Sequence, residues 1–264
     1  MKINYITLLE KVQISMNRFF FPKNKIEKLS EIDFHQLTDY QEVLSAFSRT
    51  TYTSLYVIDY EKQGFEYVSE NPLFLCGHSA EEVKEMGYAF YFKYVTEEDL
   101  NLLARINRIG FDFFEGIPID ERTRYTISYD FHMKSDNRKK ILVHHKLTPV
   151  FLTGSGKLWK AICVVSLSAE RGSGNIKITK QGDKEIFLFD LMQNRWKNVE
   201  TINISDRERE ILQLSIRGFT INEIAQEKFV SPETIKFHRK KLFNKLKVTH
   251  ISEAIFHAAN NRLL

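Results

Sequence analysis

The chain has 264 residues, 43% of them hydrophobic and 13% aromatic, with 38 Lys and Arg against 34 Asp and Glu. That length holds about two domains and a sizeable core. The longest apolar run, near Ala161 to Ala169, falls well short of the ~20 residues of a membrane helix, so no membrane partner is expected. No apolar leader opens the sequence, and Cys76 and Cys163 are too few and too far apart for a disulfide framework or a metal site. A soluble, cytoplasmic protein with reduced thiols is expected.

Ile6, Leu9, Val12 and Met16 fall at helical spacing, Phe19 to Phe21 follow, and Pro22 stops the pattern. This predicts an amphipathic helix packing on the next domain or on its twin in a dimer; its cations are few for a membrane-surface helix. Residues 39–49 predict a further short helix with Tyr40, Val43, Leu44 and Phe47 on one side. Together, residues 1–50 form an N-terminal helical segment.

The stretch SLYVIDY at 54–60, a turn at Gly64 and FEYVSEN at 65–71 make a hairpin signal. Pro72 opens short helices: PLFLCG, then HSAEEVKEM, where Ser79 and Glu82 form a capping box. A loop with a helix runs through 94–106, with Thr96 placed to cap it. Three β-rich runs follow at 123–133, 139–153 and 157–168, with turns at Asp136-Asn137 and Gly154-Ser155-Gly156. Residues 54–168 resemble the PAS family in this element order and in local detail: Asn71 at a helix start, an aromatic before TEEDL, and the closing strand triplet. The resemblance implies an α+β domain, a five-stranded antiparallel sheet with helices over one face, spanning 51–170 and used for sensing or dimerisation. Such a sheet has a concave interior for side chains or a ligand.

AERGSGN at 169–175 reads as a flexible joint. IKIT and KEIFLFDL around Gly182-Asp183 read as an extra hairpin that either extends the sheet or forms a hinge, and Trp196 and Val199 carry the chain onward. Residues 171–200 are thus a hairpin and linker.

Residues 201–264 hold 11 Lys and Arg against 7 Asp and Glu, while the other 200 residues hold 27 of each, so the whole net charge of +4 sits here. Ser205 and Glu208 form a capping box before Ile211, Leu212, Leu214 and Ile216, and Gly218 closes that helix. Thr220 and Glu223 open a short helix with Ile221, Ile224 and Ala225. Ser231-Pro232 opens the next, in which Ile235, Leu242 and Leu246 share one face. From Lys236 to Lys247 it carries six cations and no carboxylate. Helix, glycine turn, short helix, tight turn and basic helix is a helix-turn-helix order.

Residues 204–264 resemble the DNA-binding domain of LuxR/NarL-type regulators. The resemblance rests on Arg207, Glu208, Glu210, Leu212, Gly218, Glu223, Ile224, Ala225, Ser231, Thr234, Ile235, Lys236, His238, Lys245, Leu246, Val248, Glu253 and Ala254; Ile251 departs from a usual basic residue. It implies an all-α domain over 201–264 that binds double-stranded DNA as a homodimer, with RNA polymerase as a further partner. By the same resemblance, Lys236, Phe237 and Lys240 face base edges, while Ser231, Thr234, Arg239, Lys241 and Lys245 hold phosphates. Ile224, Ala225, Ile235, Leu242 and Leu246 are core. The last helix offers Ile251, Ala254, Ile255, Ala258 and Ala259 as a small-residue face for the dimer contact.

An alternative remains open: a small-molecule receptor or protein-interaction module whose basic helix is incidental. No phosphate-binding glycine loop, nucleophile elbow or metal-spaced His cluster supports an enzyme. His144 and His145 adjoin in a strand and point to opposite faces. His35, His78 and His132 are isolated, and Cys76 lacks the N-C-R-F-L-Q context of flavin-adduct sensors. No cofactor is expected. Aromatic residues crowd positions 88–131, and Tyr88, Phe90, Phe92, Tyr125 and Tyr129 are candidate walls for a small-molecule pocket.

Overall fold

The computed structural model describes residues 40–134, 139–200, 202–260 and 263–264. The helix expected over 1–21, His35 and the Asp136-Asn137 turn lie outside them. The chain divides into two compact units, 1–47 and 48–264. The first contributes most of helix α1 (Tyr40–Arg49), none of whose residues is buried.

The second unit begins with strands β1 (Ser54–Asp59) and β2 (Gly64–Val68). Short helices α2 (Pro72–Leu75), α3 (Ala80–Met86) and α4 (Ala89–Tyr94) follow, then the long α5 (Glu97–Glu115) and a 3-10 turn at Ile119–Arg124. Next come β3 (Tyr125–Lys134), β4 (Lys140–Leu152) and β5 (Leu158–Leu167). Three more strands are β6 (Gly174–Lys180), β7 (Glu185–Asp190) and β8 (Arg195–Glu200). Four helices close the chain: α6 (Asp206–Ile216), α7 (Ile221–Glu227), α8 (Pro232–Leu246) and α9 (Ile251–Asn260).

All eight strands form one antiparallel sheet in the order β2-β1-β5-β4-β3-β6-β7-β8. The five strands expected from the PAS resemblance make up one side of it. The expectation of a five-stranded sheet is therefore corrected to eight. The open question about the hairpin is answered as well: β6 pairs along β3 and continues the sheet. The joint expected over 169–175 is shorter, because Gly174 and Asn175 already belong to β6 and Asn175 Nδ2 donates to the Gly172 carbonyl at 2.8 Å.

Local signals explain most of the helix starts. Asn71 accepts from the Leu73 amide ahead of Pro72, and Ser79 and Glu82 close their box from both sides. Thr96 does not act as expected. It precedes α5, but among the described residues its buried hydroxyl has no partner and makes no cap bond. Val95 bridges Met133 and the Thr96 amide donates to the His132 carbonyl, so the backbone here is tied to β3. Glu97, Glu98 and Asp99 complement the helix dipole instead. Asp99 also accepts from the His132 amide at 2.7 Å.

The core on the helical face of the sheet is dominated by aromatic rings. Tyr56 stacks on Phe74 with centroids 4.4 Å apart, and Phe74 meets Phe90 at 4.8 Å. Each such pair adds about 1 kcal/mol beyond area burial. Arg105 on α5 donates to the Leu191 carbonyl at 2.7 Å, and Trp196 on β8 packs on Phe113, so α5 holds the added strands too.

Candidate nucleic-acid interface and sheet cavity

Paired hydrogen bonds mark the starts of the C-terminal helices. Ser205 accepts from the Glu208 amide, and the Glu208 carboxylate accepts back from the Ser205 amide at 2.7 Å. Thr220 and Glu223 repeat the pattern on α7. Gly218 ends the turn after α6 at φ +87°, a conformation that strains any side chain. Between α7 and α8 the Phe229 amide donates to Gln226 and the Val230 amide to Ala225, and Ser231 caps α8 by accepting from the Thr234 amide.

Two aliphatic clusters hold these helices. Ile211, Leu214, Ile224, Ala225 and Ile235 form one; Ile204, Leu212, Leu242, Leu246, Ala254 and Ala258 form most of the other. Burying each larger side chain contributes about 1.5–3 kcal/mol. Ile235, Leu242 and Leu246 turn α8 so that Lys236, Phe237, Lys240 and Lys241 face solvent, with Phe237 64% exposed. Lys236 lies 3.7 Å from Glu233, an exposed pair of small energetic weight. Ser231 and Thr234 bond to each other at the start of the helix, and Arg239 is half-buried with its guanidinium 5.6 Å over Phe243.

Two sequence expectations change. Lys245 does not extend the exposed row: its ammonium donates to Glu208 at 2.7 Å and to the Asn203 carbonyl at 3.1 Å. Glu208 is fully buried, and an unpaired carboxylate there would be costly, so the fold holds this lysine inward. Burial pulls the Glu208 carboxyl upward, yet Lys245 and Ser205 together keep it below its ordinary range. The small-residue face of α9 is turned as well. Ala254 and Ala258 are fully buried in their own domain, leaving Ser252, Phe256 and Ala259 on the opposite side.

One exposed group went unanticipated. Phe229 stands 95% exposed in the helix-turn-helix turn at φ +52°, where Asn or Gly would be the usual signal. Beside it, Lys228 and Arg207 both bind Glu210, at 3.0 and 3.1 Å, and hold that carboxyl below its ordinary range.

A second feature lies between α5 and the sheet. Its larger lobe is a cavity of about 230 Å³ with Tyr88, Tyr91, Phe92 and Leu103 on its walls. A smaller lobe of about 60 Å³ is walled by Gly110, Phe113, Tyr125 and Ile127. Tyr60, Asn107, Phe111, Tyr129 and Leu147 line both, so the lobes adjoin. Tyr88, Phe92, Tyr125 and Tyr129 thus stand on the walls, but Phe90 does not. On the short α4, Phe90 and Tyr94 are one turn apart and face inward, where Phe90 packs between Phe74 and Tyr94 with no exposed surface. Tyr60, Tyr91, Phe111, Phe113 and Phe114 complete the aromatic wall; Tyr60 precedes the crowded stretch, and no local pattern marks it as a wall residue.

Four histidines of the sheet region each bond a neighbouring side chain. His78 meets Tyr94, His132 meets Asp99 at 2.8 Å, and His144 meets Asp130 at 2.9 Å, while His145 points to the opposite face and bonds Tyr56. Among the described residues, no group of three His, Cys, Asp or Glu side chains is placed to hold a metal. No helix among them is long and apolar enough to cross a membrane.

Residues 203–258 match the sequence profile of the family described as "Bacterial regulatory proteins, luxR family". The protein named "Probable transcriptional regulatory protein NarL" from Mycobacterium tuberculosis is 41% identical over 61 residues, 23% of this chain and 28% of that protein. The CsgBAC operon transcriptional regulatory protein of Escherichia coli is 36% identical over 67 residues, 25% of this chain and 31% of its own length. The chain therefore spans less than a third of these curated relatives. Among solved structures, the Vibrio cholera VqmA–ligand–DNA complex is 16% identical, with 83% of this chain and 87% of that chain covered at a TM-score of 0.34. A PAS domain from Colwellia psychrerythraea is 9% identical, with 49% of this chain and 98% of that chain covered at a TM-score of 0.36. The C-terminal segment at 203–258 is a helix-turn-helix domain of the LuxR family of bacterial regulatory proteins.

Proposed function

We propose that this chain is a cytoplasmic transcriptional regulator that binds duplex DNA through α8 as a homodimer and takes a small-molecule signal in the sheet cavity. The observation that carries the DNA half is the exposed row Lys236, Phe237, Lys240 and Lys241 on a helix whose other face is fixed by Ile235, Leu242 and Leu246. A lysine in the major groove donates to guanine O6 and N7, and an aromatic edge rests on a thymine methyl. Ser231, Thr234 and Arg239 flank that row and, with Lys241 at its edge, suit phosphate contacts that set register. Lys245 has its structural partner in Glu208 and is left out of the interface.

A dimer contact through α9 would use Ser252, Phe256 and Ala259, since Ala254 and Ala258 face inward. Two-fold symmetry then calls for a roughly palindromic operator. The test is Lys240→Ala in the full chain, titrated against a selected operator and against variants of it. Specific binding should weaken by about 1–3 kcal/mol, with preference relaxed at one base position. Wild-type affinity and wild-type preference in the variant would remove Lys240 from base reading.

A further inference from the structure

The exposed row of α8 does not end at Lys241. Asn244 follows Phe237 by seven residues and Lys240 by four, so helical spacing puts all three on one stripe. Leu242 and Leu246, two residues before and after it, are buried, which aims Asn244 away from the domain core. It is exposed, and among the described residues its amide has no hydrogen-bond partner. Helix stability does not account for it, because Asn is a weaker helix former than the lysines around it.

The charge along α8 places Asn244 inside the DNA footprint rather than beyond it. The first turn carries exposed Glu233, 3.7 Å from Lys236, so the positive field is weakest at the start of the helix. Exposed Lys240 and Lys241 precede Asn244, and exposed Lys247 follows it by three residues. Phosphates drawn to these cations bring the groove against the stretch they bracket.

The chemistry of the amide then selects a base. A lysine ammonium only donates, and phenylalanine does neither; Asn244 brings a donor and an acceptor together. Phosphate oxygens only accept, so a phosphate contact would leave Oδ1 unused. Guanine shows two acceptors in the major groove, N7 and O6, and would set one of them against Oδ1. Adenine shows an acceptor beside a donor. Nδ2 can donate to its N7 while Oδ1 accepts from its N6 amino group. Four helical residues rise about 6 Å and stacked base pairs about 3.4 Å, so the steps from Lys240 to Asn244 span about two base pairs.

We propose that Asn244 reads an adenine about two base pairs along the groove from the base met by Lys240. This rests on the DNA-binding reading of α8 given above.

The test is selection of duplexes from a randomised pool by the full chain, followed by anisotropy titrations on every single-base variant of the selected operator. The wild-type chain should require an adenine about two base pairs from the position that Lys240→Ala relaxes. Asn244→Ala should reduce the preference for that adenine about tenfold and leave the other positions as they were. Asn244→Arg should exchange adenine for guanine there, since a guanidinium supplies two donors to N7 and O6. An equal loss on every duplex would make Asn244 a phosphate contact and overturn the proposal. So would unchanged base preferences in Asn244→Ala, or an operator with no adenine at that spacing. Each of these leaves DNA binding by α8 standing. If the wild-type chain binds no duplex, that reading fails and takes this inference with it. Alanine is the better helix former at this exposed site, so Asn244→Ala should keep the wild-type fold, checked by far-ultraviolet circular dichroism.

Discussion

The C-terminal helices close over Ile211, Ile224, Ile235, Leu242 and Leu246, whereas the sheet closes over Tyr56, Phe74, Phe90, Tyr129 and Phe131 and takes His145, Asp130 and Lys160 inside with them. Aliphatic side chains interlock without polar demands, and the result is a platform whose outer face can be specified independently. Aromatic rings bring hydroxyls and flat surfaces that pack with gaps, and those gaps are where the cavity lies. Lys160 illustrates the polar burden of the sheet: it is held by Glu66 at 2.6 Å and Asp59 at 3.6 Å. Among the described residues the helical region has one comparable group, Glu208, and it serves to join the start of α6 to the end of α8. One region is thus built to hold a surface still, and the other to surround something.

The sharpest way to break this contrast is to cut one core and watch the other. Leu242→Ala removes a fully buried side chain from a domain of only about 60 residues, and should cost about 2–5 kcal/mol. DNA binding should be lost, while the near-ultraviolet circular dichroism of the sheet aromatics stays as in the wild type. Simultaneous loss of both signals would mean the two regions fold as one and that the contrast has no energetic counterpart.

A smaller effect tests the polar joint. Glu208→Gln should cost about 2 kcal/mol at neutral pH, because it removes charge-assisted bonds to Lys245 and Ser205. The sign of the pH dependence follows from the lowered carboxyl. Glu208 stabilises the fold fully above the ordinary carboxylate pKa, and that contribution disappears as pH falls through its lower folded value. Urea melts of wild type and variant should therefore differ at pH 7 and converge at strongly acidic pH. A gap that is constant across pH would show that the charge of Glu208 plays no part.

What could be read from the sequence was what neighbours along the chain decide. Ser79 with Glu82, Ser205 with Glu208, and Thr220 with Glu223 are each three residues apart, and each forms its box. The inward face of α8 followed from spacing alone. What escaped was set by distant partners. Lys245 looks like any lysine of a basic helix until folding brings Glu208 from 37 positions earlier. Phe90 reads as one more aromatic in a crowded stretch, and only the rotation of a six-residue helix takes it off the cavity wall. Strand β8 escaped because Arg195, Lys197 and Glu200 give an outer strand its polar character, which protects an edge but hides it from hydrophobic patterning. Tyr91 and His145 stand 35 and 89 positions from Tyr56, whose hydroxyl bonds both, so this buried contact has no sequence signature.

The central claim is that the lysine face of α8 meets nucleic acid, and the most direct measurement is the salt dependence of duplex binding by the full chain. In anisotropy titrations, log affinity should fall linearly with log salt concentration, and Lys241→Ala should flatten the slope by about 1. Affinity that does not change with salt, or binding too weak to detect at low salt, would contradict the account.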